Sequence, residues 1–350
     1  MKAVFITKDD TLTIQEAPVP ELGPGDVLLE NINTALWGSG SSIGRVLDFG
    51  DEMYDFNIGE RVYPLFPSAG DGSDAPYGSL SEYMAVKDAI RNVTLFPIPE
   101  TIPDKTATLI GPFLRGCHAA RKGMTGRSVS DLYAILSEGK AYQGDIRYRS
   151  GQKTLVFGAD ACGLAAAVML KWFGMDTVMV CDPSPLRLSI AEGLGMAVCN
   201  SSTEELSGKL LSVFGPSSSA GGKRAAIDCW IDMSEGQNAL PLFRKYGSAD
   251  STYVCGAASL CGESSLLSSL PGEGTAAEAI PPAELALLDQ SICGAGLPDG
   301  EDMSDVLSMM ESGCFDLDQL FTAEYPLSEL PEALEKAMDS GLSGTVLITF

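Results

Sequence analysis

Apolar and polar positions keep one rhythm up to about residue 100 and a different one from about residue 153. In the first stretch, strand-like pieces reading AVFI, VLLENIN, RVLDFG, ERVYPLF and SEYMAV are separated by glycine and proline turns. Short strands punctuated in this way predict a small all-β domain. In the second stretch apolar strands alternate with helical segments: LVF precedes GLAAAVMLKWFG, TVMVCD precedes PLRLSIAEGLG, AVCN precedes TEELSGKLLSVFG, and AAIDCWI precedes EGQNALPLFRKYG. TYVCGA then leads through a long loop to SICGAG. Such alternation implies right-handed βαβ units and a parallel sheet covered on both faces. About six strands are countable, enough for a full doubly wound nucleotide-binding domain. The tail offers one amphipathic helix from about 328 to 339 and then a strand expected to return to the first domain.

The expected organisation is therefore discontinuous. A β-rich domain covers 1–118 and is completed by 320–350, an inserted segment covers 119–150, a nucleotide-binding domain covers 151–297, and 298–350 leads back to the first. At 350 residues, two domains are the default. The segment MTGRSVSDLYAILSEGKAYQGDIRYRS carries Arg127, Lys140, Arg147 and Arg149 in an otherwise acidic chain, and 257–282 has the composition of a surface loop.

Charge narrows the partners. With 23 basic against 47 acidic residues the net charge is −24, which repels nucleic acid and anionic membranes and sets both aside as partners. No apolar run is long enough for a membrane span, and MKAVFITKDD lacks the apolar core of a signal peptide, so a cytoplasmic protein is expected. The nine cysteines are scattered singly without a CxxC pair and read as small buried hydrophobes, with no disulfide frame or zinc knuckle.

The stretch TLVFGADACGLAAAV has the form of a dinucleotide-binding turn, an apolar strand broken at Gly158 and resumed after Gly163 as an alanine-rich helix. With the opening MKAV, the turn GDVLLEN, the pair FNIGERVYP, the strand GSLSEYMAV, the segment LIGPFLRGCHAARKG and the ending GLSGTVLITF, it resembles the medium-chain dehydrogenase/reductase superfamily over nearly the whole length. Residues 109–123 are most similar to its polyol, or sorbitol-type, branch. The resemblance implies an α/β fold, an N-terminal GroES-like β-rich domain joined to a Rossmann domain. It also implies a homo-oligomer, dimer or tetramer, built by edge pairing of the last parallel strand near 291–296.

In the superfamily a catalytic zinc is held by a cysteine in a CGxD-like turn, by a GHE turn, and by a cysteine or glutamate just before the stretch matching PFLRGCHA. Here those positions read Trp37, a shortened SGSSIGRV beside Gly44, and Gly111, and the four-cysteine lobe for structural zinc is missing, so no zinc is expected. His118, the one histidine of the chain, is expected to be structural.

The cofactor half is better kept. Gly158 and Gly163 occupy the first and third glycine places of the fingerprint, while Asp160 takes the second, where its carboxylate either opposes the pyrophosphate or caps the helix that begins with Ala161 and Cys162. Asp182 ends the second strand, where an acidic group bonds the adenosine ribose and favours NAD(H) over NADP(H); the alternative is a strand-end turn with Asp182 capping the helix of PLRLSIAEG. Arg187 is placed to flank the adenine or pair with Asp182, and Gly256 marks the turn that approaches the nicotinamide. Arg115 adds a positive charge to a stretch that is small or apolar in the resembled enzymes, and either binds a carboxylate or pairs with a neighbouring acid.

The function implied is zinc-independent hydride transfer to or from a small carbonyl, alcohol or enone, with Arg115, Tyr54, Ser39 and Ser41 as candidate hydrogen-bond donors. The alternative is a non-catalytic relative that keeps the fold for binding or assembly, with Asp160 its main support.

Overall fold

The computed structural model describes residues 1–6, 12–36, 41–65, 78–124, 152–217, 224–234, 239–256, 282–339 and 344–350. The expected insertion from 125 onward and most of the 257–282 loop lie outside these residues. The chain divides into two compact units, 1–112 with 300–350, and 113–299.

The first unit begins with the hairpin β1 (Lys2–Ile6) and β2 (Leu12–Glu16) and continues through β3 (Val27–Leu36), β4 (Ser41–Phe49), β5 (Arg61–Pro64), β6 (Tyr83–Val86) and β7 (Leu95–Pro97). Helix α1 (Asp104–Ala107) follows, and α2 (Ile110–Met124), most of which belongs to the second unit, runs past residue 119, where the inserted segment was expected to start. The second unit then alternates β8 (Lys153–Phe157), α3 (Ala161–Trp172), β9 (Thr177–Asp182), α4 (Pro185–Gly193), β10 (Ala197–Asn200), α5 (Leu206–Phe214), β11 (Cys229–Asp232), α6 (Leu240–Tyr246), β12 (Thr252–Cys255), α7 (Pro282–Leu288) and β13 (Ser291–Gly294). Last come α8 (Gly300–Ser312), β14 (Phe321–Pro326), α9 (Leu330–Met338) and β15 (Thr345–Thr349), which belong to the first unit again.

Sequence chemistry explains these elements. Helix α3 is apolar on all sides because it is buried from Cys162 to Leu170, whereas α9 buries only Leu330 and Ala333 and leaves a charged face outward. Helix α4 starts where Ser184 accepts a hydrogen bond from the Arg187 amide and Pro185 supplies a preset φ. That serine, and not Asp182, is the cap of the PLRLSIAEG helix.

All six strands of the second unit are parallel, in the order β10-β9-β8-β11-β12-β13. The chain winds from β8 outward through β9 and β10, then returns to the other side of β8 with β11, so the order reverses between β8 and β11. Ligands of open parallel sheets bind at such a reversal, outside the carboxyl ends of the strands. One face of the sheet packs Trp230 between Phe157, stacked at 5.9 Å between ring centres, and Phe243, edge-on at 5.7 Å.

In the first unit a seven-stranded sheet runs β14-β15-β3-β4-β5-β7, with β6 also paired to β3. Its core gathers Val27, Leu29, Val46, Phe56, Val62 and Met84, and a second cluster forms where α9 packs on Val346 and Ile348. An ion pair pins the loop between β4 and β5: Arg91 donates to Glu60 from both terminal nitrogens, at 3.1 and 2.6 Å. That hydrogen bonding holds the Glu60 carboxyl below the usual glutamate range. A carboxylate whose pKa falls on folding adds stability above its unfolded pKa and loses it as pH drops through the folded one. Glu60→Gln is therefore expected to cost about 1 kcal/mol at neutral pH. In urea titrations the gap to wild type should close as the pH falls below about 4; a pH-independent gap would assign the effect to packing.

Candidate functional site

The turn after β8 sits at the sheet's reversal. Gly158 has φ +90°, and a Cβ there would lie 2.9 Å from the Ser234 amide nitrogen and 3.0 Å from the Met233 carbonyl carbon. A Cβ on Gly163 would lie 2.0 Å from the Gly158 carbonyl oxygen. Both positions admit only glycine, as the two fingerprint roles of tight turn and close helix–strand packing demand. Asp160 is the N-cap of α3, its Oδ1 accepting from the Gly163 amide at 2.8 Å. The carboxylate therefore caps the helix, one of the two roles expected of it.

Asp182 braces the same turn from the β9 side. It is buried, with Oδ2 accepting from the Ala159 amide at 2.8 Å and Oδ1 from the Ser184 amide at 2.7 Å. Its register partner across the ladder is Asn200, whose amide donates to Glu204. Two carboxylates, Asp182 and Glu204, therefore lie at the carboxyl ends of β9 and β10. Arg187 lies half-buried in the first turn of α4.

On the other side of the reversal stands Asp232, the last residue of β11 and the register partner of Phe157. Its Oδ1 accepts from the Ser234 amide at 3.1 Å and from the Ser234 hydroxyl; its Oδ2 accepts from the Ala239 amide at 3.0 Å and from the Tyr253 hydroxyl. Burial, then the bond to Asp232, pushes the Tyr253 phenol above its ordinary pKa. Gly256, one strand over, donates to the Asp232 carbonyl at 2.8 Å, and a Cβ there would lie 2.2 Å from the Met233 sulfur. The sequence reading passed over Asp232, although CWID ends an apolar strand on aspartate as TVMVCD does.

In the first unit, Ser41 is buried and its Oγ accepts from the Gly111 amide at 3.3 Å. Two of the positions matched to zinc-binding stretches are therefore neighbours. Gly44 lies in β4 with its Cβ position only 3.0 Å from the Leu29 Cβ and 3.1 Å from the Glu30 carbonyl oxygen, too tight for a ligating side chain. Serine and glycine at these described positions offer no thiolate, imidazole or carboxylate and do not fit a zinc ion. Trp37 and Ser39 lie outside the described residues. Tyr54 is 85% exposed, and its hydroxyl donates to the Asp51 carbonyl at 2.9 Å, unlike the buried Ser41. Arg115 and His118 are both half-buried on α2 of the second unit, and the Gly296 Cβ position lies 3.8 Å from the His118 Nε2.

The cysteines need one correction. Cys117, Cys162, Cys181, Cys199 and Cys229 are buried as expected, but Cys255 at the end of β12 and Cys314 beyond the end of α8 are exposed, and Cys293 in the outer strand β13 is half-buried; Cys261 lies outside the described residues. No helix among the described residues is long and apolar enough to cross a membrane.

No family model matches the chain. It is 24% identical over 402 aligned positions to an L-threonine 3-dehydrogenase of Yersinia pestis (strain Pestoides F), covering 100% of both chains. With an L-threonine 3-dehydrogenase of Mesorhizobium japonicum it shares 26% identity over 249 residues, 59% of this chain and 64% of that one. Among solved structures, 2R,3R-butanediol dehydrogenase from Bacillus subtilis superposes with a TM-score of 0.74 at 17% identity, covering 100% of this chain and 99% of the other. An alcohol dehydrogenase from Escherichia coli CFT073 in complex with NADH gives a TM-score of 0.73 at 19% identity with the same coverage. The chain is thus similar along its whole length to L-threonine 3-dehydrogenases, and it shares the fold, a β-rich unit and a doubly wound unit, of solved alcohol and polyol dehydrogenases.

Proposed function

We propose that the protein is a zinc-independent oxidoreductase that uses NAD(H) in preference to NADP(H) and acts on a small alcohol, carbonyl or enone. The observation that carries this reading is the turn at Gly158 and Gly163, two positions sterically closed to any side chain at the reversal point of a parallel sheet. Kinship with dehydrogenases supports the reaction class. The nicotinamide would supply or accept the hydride.

The chain's own residues would do the rest. Gly158, Ala161, Cys162, Gly163 and Gly256 would bring backbone close to the dinucleotide, and Asp182 with Arg187 would meet its adenosine end. Asp182, with Glu204 held one strand away, disfavours an additional phosphate there by charge. Ser41 and Ser39 are the donors proposed for the substrate oxygen, whereas the Tyr54 hydroxyl already donates to the Asp51 carbonyl. Ser41, buried and accepting from Gly111, still has its hydroxyl hydrogen to donate. Carbonyl polarisation then rests on positioned hydrogen bonds. We also propose a homo-oligomer through β13, the outer strand of the sheet, whose Ser291, Ile292 and Gly294 are exposed.

Fluorescence titration with NADH and NADPH, run beside metal analysis, tests the reading. Wild type is expected to bind NADH at micromolar concentration and NADPH more weakly, without stoichiometric zinc. Asp160→Gly keeps a tolerable cap and removes a charge facing the phosphates, so NADH should bind about two- to five-fold tighter. If wild type binds neither nucleotide and Asp160→Gly restores NADH binding, the site has decayed and the enzyme reading fails.

A further inference from the structure

Two strands of the parallel sheet end an apolar run on a buried aspartate, and only Asp182 has a place in the reading so far. We propose that Asp232 is a positioning residue for the dinucleotide, the second brace of the Gly158 turn. This rests on the oxidoreductase reading and extends it to a residue outside the fingerprint.

Three observations support it. Asp232 and Phe157 are register partners at the carboxyl ends of β11 and β8, the two strands between which the order reverses. The Asp232 carboxylate accepts four hydrogen bonds, from the amide and hydroxyl of Ser234, the Ala239 amide and the Tyr253 hydroxyl. With about four lone-pair sites on a carboxylate, none remains for a proton in transit, so the group is an anchor and not a base. What it anchors is the Ser234 backbone, whose amide nitrogen stands 2.9 Å from where a Gly158 Cβ would be. Asp182 fixes the turn through Ala159 on one flank, and Asp232 fixes the opposite flank through Ser234. A turn braced on both sides meets its ligand preorganised, so less ordering opposes binding.

Asp232 acts through its neighbours, and its loss should therefore appear in cofactor affinity. Asp232→Asn keeps the size but turns one acceptor into a donor facing donors. It is expected to weaken NADH binding at least ten-fold in fluorescence titration, with the rate at saturating NADH changed less than two-fold in whatever turnover assay the wild type supports. Tyr253→Phe removes one of the four bonds while keeping the ring against Phe243, and should weaken NADH about three-fold. Phe214→Leu is the stability control. Phe214 is buried near the amino ends of the strands, where its carbonyl accepts from Lys153 Nζ at 2.6 Å, far along the chain from the turn. All are measured well below their melting temperatures.

Wild-type NADH affinity in Asp232→Asn would overturn the proposal, as would equal weakening in Phe214→Leu at a matched loss of Tm. If Asp232→Asn does not fold, Tyr253→Phe decides, and unchanged affinity there overturns it. Absence of NADH binding by wild type overturns the oxidoreductase reading and this inference with it, whereas wild-type binding with unaffected variants overturns this inference alone.

Discussion

Gly163→Ala is expected to abolish NADH binding and to destabilise the protein by about 3 kcal/mol, the upper end for overpacking. One methyl group has this effect because of what it meets. The new Cβ would lie 2.0 Å from the Gly158 oxygen and 2.7 Å from its carbonyl carbon, both backbone atoms that no rotamer change can move. Gly158 cannot retreat either, being held at φ +90° against the Met233–Ser234 peptide. Helix α3 would have to lift from β8, and α3 is buried along most of its length. Thermal melts should fall by roughly 6–12 °C. A variant melting within a degree or two of wild type with NADH affinity intact would show that the turn is far softer than described.

The second large effect is expected at Trp230, fully buried between Phe157 and Phe243. Trp230→Ala should cost about 3–5 kcal/mol in chemical denaturation, the range for deleting a large aromatic from a core. Trp230→Phe should cost much less than its lost volume implies. The indole nitrogen is buried and has no hydrogen-bond partner among the described residues, and an unsatisfied buried donor carries a penalty of roughly 1–3 kcal/mol that phenylalanine avoids. Equal losses in the two variants would mean that the indole N–H is satisfied in solution.

The elements legible in the sequence were those whose side chains report their own burial. Strands such as TVMVCD and helices such as GLAAAVMLKWFG bury enough apolar surface that period and punctuation suffice. Strand β2 escaped because its apolar face is only two residues long, Leu12 and Ile14, and both are only half-buried. Helix α8 escaped for another reason: GEDMSDVLSMMES looks like an acidic loop, and its buried Met303, Val306, Met309 and Met310 reveal a helical stripe only when methionine is counted as core. At the site, glycine spacing located the turn because steric exclusion is a local property. The network on Asp232 was hidden since Tyr253 reaches it from the next strand, and only the register of β11 against β12 brings them together. Asp182 was identified by position, but its engagement by two amides became visible only with the fold.

Strand β15 has a consequence for the order in which the chain can fold. It is antiparallel to β3 and parallel to β14, in the interior of the first unit's sheet, yet it comes from residues 345–349. During synthesis, β3 through β7 emerge early; β6 covers Val27–Glu30 of β3, but Asn33–Leu36 must wait for β15 until the whole parallel-sheet unit has been made. An unfilled ladder of that kind is the template on which nascent chains misassemble. A chain without residues 345–349 would therefore keep that stretch of β3 as an adhesive edge, and its expected fate is aggregation.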